Sequence, residues 1–216
     1  IDENQDIWAY DLSSKGEEGV VFHVRTGKSD MELFIPAPGI HNVQNALAGI
    51  AVAECLNMSE KEIKEGLSCY TGEQMRLCIS EKEGIKIIND TYNAAPSSVK
   101  AAIDVLCDIS SHRRRWVILG DMLELGDIAE KSHALIGEAA VNNNVDILLT
   151  YGEMTRHTAE KAKELGLKEV CSFNDHDSLA KKLFETVKPN DGVLFKGSRG
   201  MKLETAMNKL YEMLGE

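Results

Sequence analysis

The chain has 216 residues, 43% of them apolar, and a formal net charge of −11. That length and apolar share suit one large or two small globular domains with a buried core. The acidic balance argues against a nucleic-acid or anionic-membrane surface, but leaves room for a nucleotide held by local N–H groups and a few cations.

Five cysteines occur, none in a C-x-x-C pair. Several lie in apolar patterns and read as buried, reduced thiols of a cytoplasmic protein, without a disulfide framework or zinc site. No apolar run reaches membrane-spanning length. The opening Ile1-Asp2-Glu3-Asn4 is no signal peptide and lacks an initiator Met, as expected of a chain that begins inside a longer protein.

Residues up to about 35 read as strands and turns; the runs 20–24 and 31–35 flank Thr26-Gly27-Lys28-Ser29-Asp30, a hairpin by pattern. Gly27-Lys28-Ser29 resembles the end of a phosphate-binding P-loop. That motif needs a glycine where Phe22 stands, a strand before and a helix after, whereas strands flank both sides here. No other G-x-x-x-x-G-K-[ST] occurs. Pro36-Ala37-Pro38-Gly39 breaks the chain before a helix predicted from about His41 to Leu56, with Val43, Ala46, Leu47, Ile50 and Ala51 as its apolar face. Ser59, followed three residues later by Glu62, caps a second helix that ends near Cys69.

The pattern changes near Tyr70-Thr71-Gly72-Glu73. Two strands, 75–80 and 85–88, surround Glu81-Lys82-Glu83-Gly84, and a helix follows Pro96 along Val99, Ala101, Ala102, Val105 and Leu106. Strands 116–119, 145–150, 170–173 and 192–195 then alternate with helices 128–141, 154–165, 178–187 and 201–214. Such alternation implies parallel pairing with right-handed crossovers, a doubly wound α/β sheet. Arg113-Arg114-Arg115 could meet a phosphate; it reads more simply as solvated charge at a sheet end.

The chemistry gathers at the carboxyl ends of these strands, where open α/β sheets bind ligands. Asn89-Asp90-Thr91-Tyr92-Asn93-Ala94-Ala95-Pro96-Ser97-Ser98 sets an acid, a phenol and an amide between a strand and a helix; a plain capped turn reads equally well. Asp121 and Glu124 follow another strand. Gly197-Ser198-Arg199-Gly200 opens the last helix, either as an anion-binding turn or as an ordinary one. Arg76 stands at the start of the second half. On the helix near residue 41, Asn42 suits an N-cap, while Asn45 lies one turn in and gains nothing from capping. The six histidines show no metal-ligand spacing, and no G-x-S-x-G occurs.

Four segments, Pro38-Gly39-Ile40-His41-Asn42-Val43-Gln44-Asn45-Ala46, Asp90-Thr91-Tyr92-Asn93-Ala94-Ala95-Pro96, Leu119-Gly120-Asp121-Met122-Leu123-Glu124-Leu125-Gly126 and Lys196-Gly197-Ser198-Arg199, resemble the Mur ligases. These are ATP-dependent amide ligases of peptidoglycan precursor synthesis. The second and third segments most resemble the member that adds D-alanyl-D-alanine to a UDP-N-acetylmuramoyl-tripeptide.

The resemblance implies a three-domain parent. Residues 1–73 would be the tail, strands plus helices, of a truncated central ATP-binding domain, and 74–216 a Rossmann-like third domain. The family's sugar-nucleotide domain, P-loop and metal ligands have no counterpart here, so the chain is expected to be inactive alone, with ATP and magnesium serving the parent and no metal ligand in this part.

By the same resemblance Asn45 meets adenine, Asp90 the ribose and Arg76 the γ-phosphate, and Asn42 belongs with them to the nucleotide site. Tyr92, Asn93, Ser198 and Arg199 face the tripeptide or dipeptide substrate. A monomeric cytoplasmic enzyme is implied, with no nucleic-acid or membrane partner. Two other readings stand beside it: a self-contained nucleotide- or phosphate-binding module, and part of a folylpolyglutamate synthase-like ligase, which the D-x-Y-N-A-x-P loop disfavours.

Overall fold

The computed structural model describes residues 6–110 and 113–215; the opening residues 1–4 thus lie outside the described residues. Two compact units divide between Gly72 and Glu73.

In the first unit, β1 (Trp8–Ser14), β2 (Val20–Arg25) and β3 (Asp30–Ile35) form an antiparallel sheet in that order. Alternation decides which face is buried: Val20, Phe22, Val24, Met31, Leu33 and Ile35 point to the core. Helices α1 (Ile40–Cys55) and α2 (Glu60–Ser68) cover that face with Val43, Ala46, Ile50 and Ile63. The predicted hairpin is present, with Val20 opposite Ile35 and Arg25 opposite Asp30. In its turn the Thr26 hydroxyl accepts from the Lys28 and Ser29 amides at 3.1 and 3.0 Å, so Gly27-Lys28-Ser29 is a hairpin turn and no phosphate loop. The capping box of α2 is closed both ways, Glu62 N–H to Ser59 Oγ and Ser59 N–H to Glu62 Oε2.

The second unit holds β4 (Cys78–Lys82), β5 (Ile85–Asp90), α3 (Pro96–Ile109), β6 (Arg115–Gly120), α4 (Ala129–Asn142), β7 (Ile147–Tyr151), α5 (Thr155–Glu164), β8 (Glu169–Phe173), α6 (His176–Thr186), β9 (Gly192–Lys196) and α7 (Glu204–Leu214). The sheet order is β4-β5-β9-β6-β7-β8, with only the β4–β5 pair antiparallel. Alternate strand residues feed two cores. Ile88, Val117, Leu119, Leu148 and Leu194 pack with α3, α4 and α5, while Ile87, Trp116, Ile118, Leu149, Val193 and Phe195 pack with α6 and α7. This is the doubly wound Rossmann-like α/β fold. Its last strand, β9, inserts between β5 and β6, the place where connections diverge to opposite faces and open a crevice at the strand ends.

Three expectations are corrected. The strand predicted over 75–80 begins only at Cys78, because Met75 and Leu77 take positive φ values of 60° and 50°, outside the extended region. The arginine triplet is not merely solvated. Arg114 forks onto the buried Asp191 at 2.9 and 2.6 Å, Arg113 reaches the Gly84 carbonyl and Arg115 that of Asn143, so the triplet clamps the amino end of the sheet. Finally, Cys55, Cys69 and Cys78 are exposed and Cys107 and Cys171 half-buried. Burial pushes the Cys107 thiol above its ordinary range.

Candidate functional site

β5 ends on Asp90 and β9 on Lys196, and parallel pairing sets these two residues side by side. Lys196 is 2% exposed and Asp90 8%. The Lys196 ammonium donates to Asp90 Oδ2 at 2.6 Å and to the Asn93 carbonyl at 2.9 Å. Desolvation holds the Lys196 pKa below that of an ordinary lysine, with the Asp90 carboxylate opposing the shift. Asp90 Oδ1 accepts from the Leu77 amide at 3.3 Å. A carboxylate offers about four lone-pair directions; two are occupied here, so Asp90 can still accept from a hydroxyl in the crevice.

The turn before β4 lies against the same strand end. Met75 O accepts from the Tyr92 amide at 3.1 Å, and the Arg76 guanidinium lies over the Tyr92 ring, 4.2 Å from its centroid. Arg76, Tyr92 and Asn93 are all exposed. The Asn93 side chain accepts from the Ala94 amide at 2.8 Å, which shapes the entry into α3.

Ser198 and Arg199 follow β9. Ser198 is buried, its hydroxyl accepting from the Leu123 amide at 2.9 Å and donating towards the Ala94 carbonyl at 3.5 Å, while its own amide donates to Asp121 O at 3.1 Å. One side chain thus joins the loops after β5, β6 and β9. Arg199 is exposed and pairs with Glu204. Gly197 lets β9 run close to β6: a Cβ there would lie 3.1 Å from Gly120 Cα.

Asp121 sits beside this group but is engaged elsewhere. Its carboxylate accepts from the Glu153 and Thr155 amides at 3.1 and 2.8 Å, capping α5 from another loop. Gly152 makes room for it, since a Cβ there would lie 2.5 Å from the Asp121 carboxyl. Glu124 is exposed, with φ of 63°. His133, which sequence reasoning passed over because it has no metal-ligand spacing, is 1% exposed. Its Nε2 accepts from the Met122 amide at 3.0 Å and its Nδ1 lies 2.8 Å from the Ala129 carbonyl, so a neutral ring with the proton on Nδ1 holds the loop after β6.

Asn42 and Asn45 belong to the first unit. Gly39, with φ of 94°, takes the N-cap of α1 in place of Asn42. Asn42 lies inside the first turn, donates to the Pro38 carbonyl at 2.8 Å, and accepts from the exposed Asn45 at 3.3 Å. The two amides three residues apart therefore share one face. Among the described residues no group of three or more His, Cys, Asp or Glu side chains is placed to hold a metal ion.

The arrangement offers a hydroxyl acceptor, an exposed guanidinium and backbone turns at one sheet edge. Residues 75–199 match the family described as "Mur ligase, glutamate ligase domain". The chain is 37% identical over 201 residues to UDP-N-acetylmuramoyl-tripeptide–D-alanyl-D-alanine ligase of Bacillus subtilis, covering 92% of this chain and 44% of that protein. The ligase of the same name from Escherichia coli is 31% identical, with 90% and 42% covered. The chain therefore spans less than half the length of these relatives. A crystal structure of MurF from Acinetobacter baumannii superposes with a TM-score of 0.88 at 29% identity, covering 98% of this chain and 46% of that one. MurF from Thermotoga maritima, solved in complex with ADP, shares the fold at a TM-score of 0.79 and 22% identity, over 98% and 47% of the two chains.

Proposed function

This chain belongs to the Mur ligase family, and from that premise we propose that it supplies the carboxyl-terminal part of an ATP-dependent amide ligase. In this reading the ligase joins D-alanyl-D-alanine to a UDP-N-acetylmuramoyl-tripeptide in peptidoglycan precursor synthesis. The observation that carries it is the convergence of Asp90, Arg76, Tyr92, Asn93 and the turn through Arg199 at the β5–β9 edge of the sheet. Support also comes from the relatives' names and from the matched length.

The parent reaction has two steps. ATP phosphorylates the tripeptide carboxylate, and the free amine of the dipeptide then attacks the acyl phosphate and expels phosphate. Asp90 accepts from ribose hydroxyls with its unoccupied lone pairs. Arg76, exposed and supported by Tyr92, meets the charge that spreads over the transferred phosphoryl group. Asn45 takes the adenine edge, where an amide can both donate and accept, and Asn42, its hydrogen-bond partner, belongs to the same nucleotide site. Tyr92, Asn93 and Arg199 face the peptide substrates, and Ser198 holds the turn that presents Arg199. Residues 1–73 are read as the end of the central domain and 74–216 as the third. Without the phosphate loop, the chain alone turns over no ATP.

The test is an assay of the longer ligase that carries this chain, with ATP, the UDP-linked tripeptide and D-alanyl-D-alanine. The pentapeptide product is expected, and Asp90→Ala is expected to raise KM for ATP about ten- to a hundredfold, the loss of a hydrogen bond to a charged group. Absence of product, or vigorous ATP turnover by purified 1–216, would refute the reading.

A further inference from the structure

The roles above leave Lys196 without one. It is the last residue of the strand that runs between β5 and β6, with its side chain almost entirely out of water. An ammonium in such a place has lost its hydration and persists only with acceptors of fixed position. Its two acceptors, Asp90 Oδ2 and the Asn93 carbonyl, lie at the start and middle of the loop between β5 and α3. Three N–H donors radiating from one centre suit two acceptors from separate points of a loop.

The contacts continue beyond Asp90. Its other oxygen holds the Leu77 amide. Leu77 and Met75 flank Arg76 in the left-handed region, which side chains of this size enter only where neighbours hold them. The Tyr92 amide on Met75 O and the Arg76–Tyr92 stack complete that hold. A single buried cation thus stands behind both Asp90 and the turn that carries Arg76.

We propose that Lys196 is the positioning residue of this strand-end site, fixing Asp90 and, through Asp90 and Leu77, the Arg76 turn, while touching no ligand itself. The inference rests on the ligase reading, which is what gives Asp90 and Arg76 a nucleotide to meet.

Lys196→Met tests it in two ways. In the 216-residue chain, NMR hydrogen exchange should quicken about tenfold or more at the Leu77 and Tyr92 amides, with Leu148 and Leu149 in β7 unchanged. In the longer ligase, Asp90→Asn should raise KM for ATP about tenfold on the wild-type background, but add little on the Lys196→Met background, where Asp90 is already displaced. A purely structural lysine would leave the two substitutions additive. Wild-type exchange at Leu77 and Tyr92 in a folded Lys196→Met chain, or full additivity in KM, would overturn the proposal.

Should Lys196→Met not fold, the double variant Lys196→Met/Asp90→Asn, free of the unpaired buried carboxylate, is compared with Asp90→Asn. Equal exchange at Leu77 is then expected, and further acceleration would overturn the route through Asp90. Asp90→Asn without effect on ATP kinetics would remove the nucleotide reading instead, and the exchange rates decide the role of Lys196 independently.

Discussion

Asp90 and Asp121 stand at the carboxyl edge of the same sheet, one closing β5 and the other following β6, and they are 8% and 6% exposed. In sequence both are acids after an apolar strand. Their hydrogen bonds separate them. Both Asp121 oxygens accept backbone amides at the start of α5, so the group is an acceptor for the fold. Asp90 also has two donors, but they come from the end of β9 and from the turn that carries Arg76. Asp121→Ala should therefore lower stability by about 1.5–3 kcal/mol, the cost of removing a charged acceptor from buried donors. In the folded fraction KM for ATP should stay within about twofold of wild type, a change near the size of RT ln 2. Chemical denaturation with parallel kinetics checks this; an unchanged midpoint together with a raised KM would place Asp121 in the nucleotide site. The distinction was illegible in sequence because Asp90 meets its cation 106 positions away and Asp121 meets α5 across 34. Strand-end acids can be read from local pattern; the use of their oxygens depends on which loop the topology brings beside them.

Among the elements, those governed by local chemistry were the most legible. The Ser59–Glu62 capping box, the 20–25/30–35 hairpin and the alternation that splits β5, β6, β7 and β9 between two cores all follow from residues within a few positions of one another. Boundaries set by distant contacts were not. The segment 75–77 has strand-like residues, yet the Asp90 carboxylate and the Tyr92 amide hold it as a turn. One local boundary was missed as well: α6 begins two residues earlier than its apolar periodicity implies, because Asp175 is its N-cap and accepts from the Ser178 amide at 2.7 Å. That backbone N–H holds the Asp175 carboxyl below the usual carboxylate range. A carboxyl whose folded pKa is depressed contributes stability above its unfolded pKa and loses it as pH falls through the folded value. Asp175→Ala should thus lower Tm by a few degrees near neutral pH, and the difference from wild type should shrink below about pH 4, the unfolded value for Asp. Thermal melts at pH 7 and pH 3 measure it. A difference that persists undiminished in acid would mean that Asp175 acts through packing instead of through its charge.

At the scale of the whole molecule, the sequence pattern implied a doubly wound sheet but not the position of β9. Strand–helix alternation is the same whether the last strand joins an edge or inserts between β5 and β6, and only the insertion puts Lys196 against Asp90. The insertion also binds the second unit into one body, because removing β9 would part β5 from β6 and empty both cores. A sheet closed in this way, with helices on both faces, has the size and buried area of an autonomous domain. The segment 73–216, expressed alone, should therefore unfold in one cooperative step. Trp116 reports on it directly: the indole is 1% exposed and donates to the buried Asp191 at 3.0 Å, and the chain's other tryptophan, Trp8, lies in the first unit. Blue-shifted emission in the native state should move red in a single sigmoidal transition that coincides with loss of far-ultraviolet circular dichroism. A gradual red shift, or emission that is red from the outset, would show that the two cores around β9 do not hold the sheet together without residues 1–72.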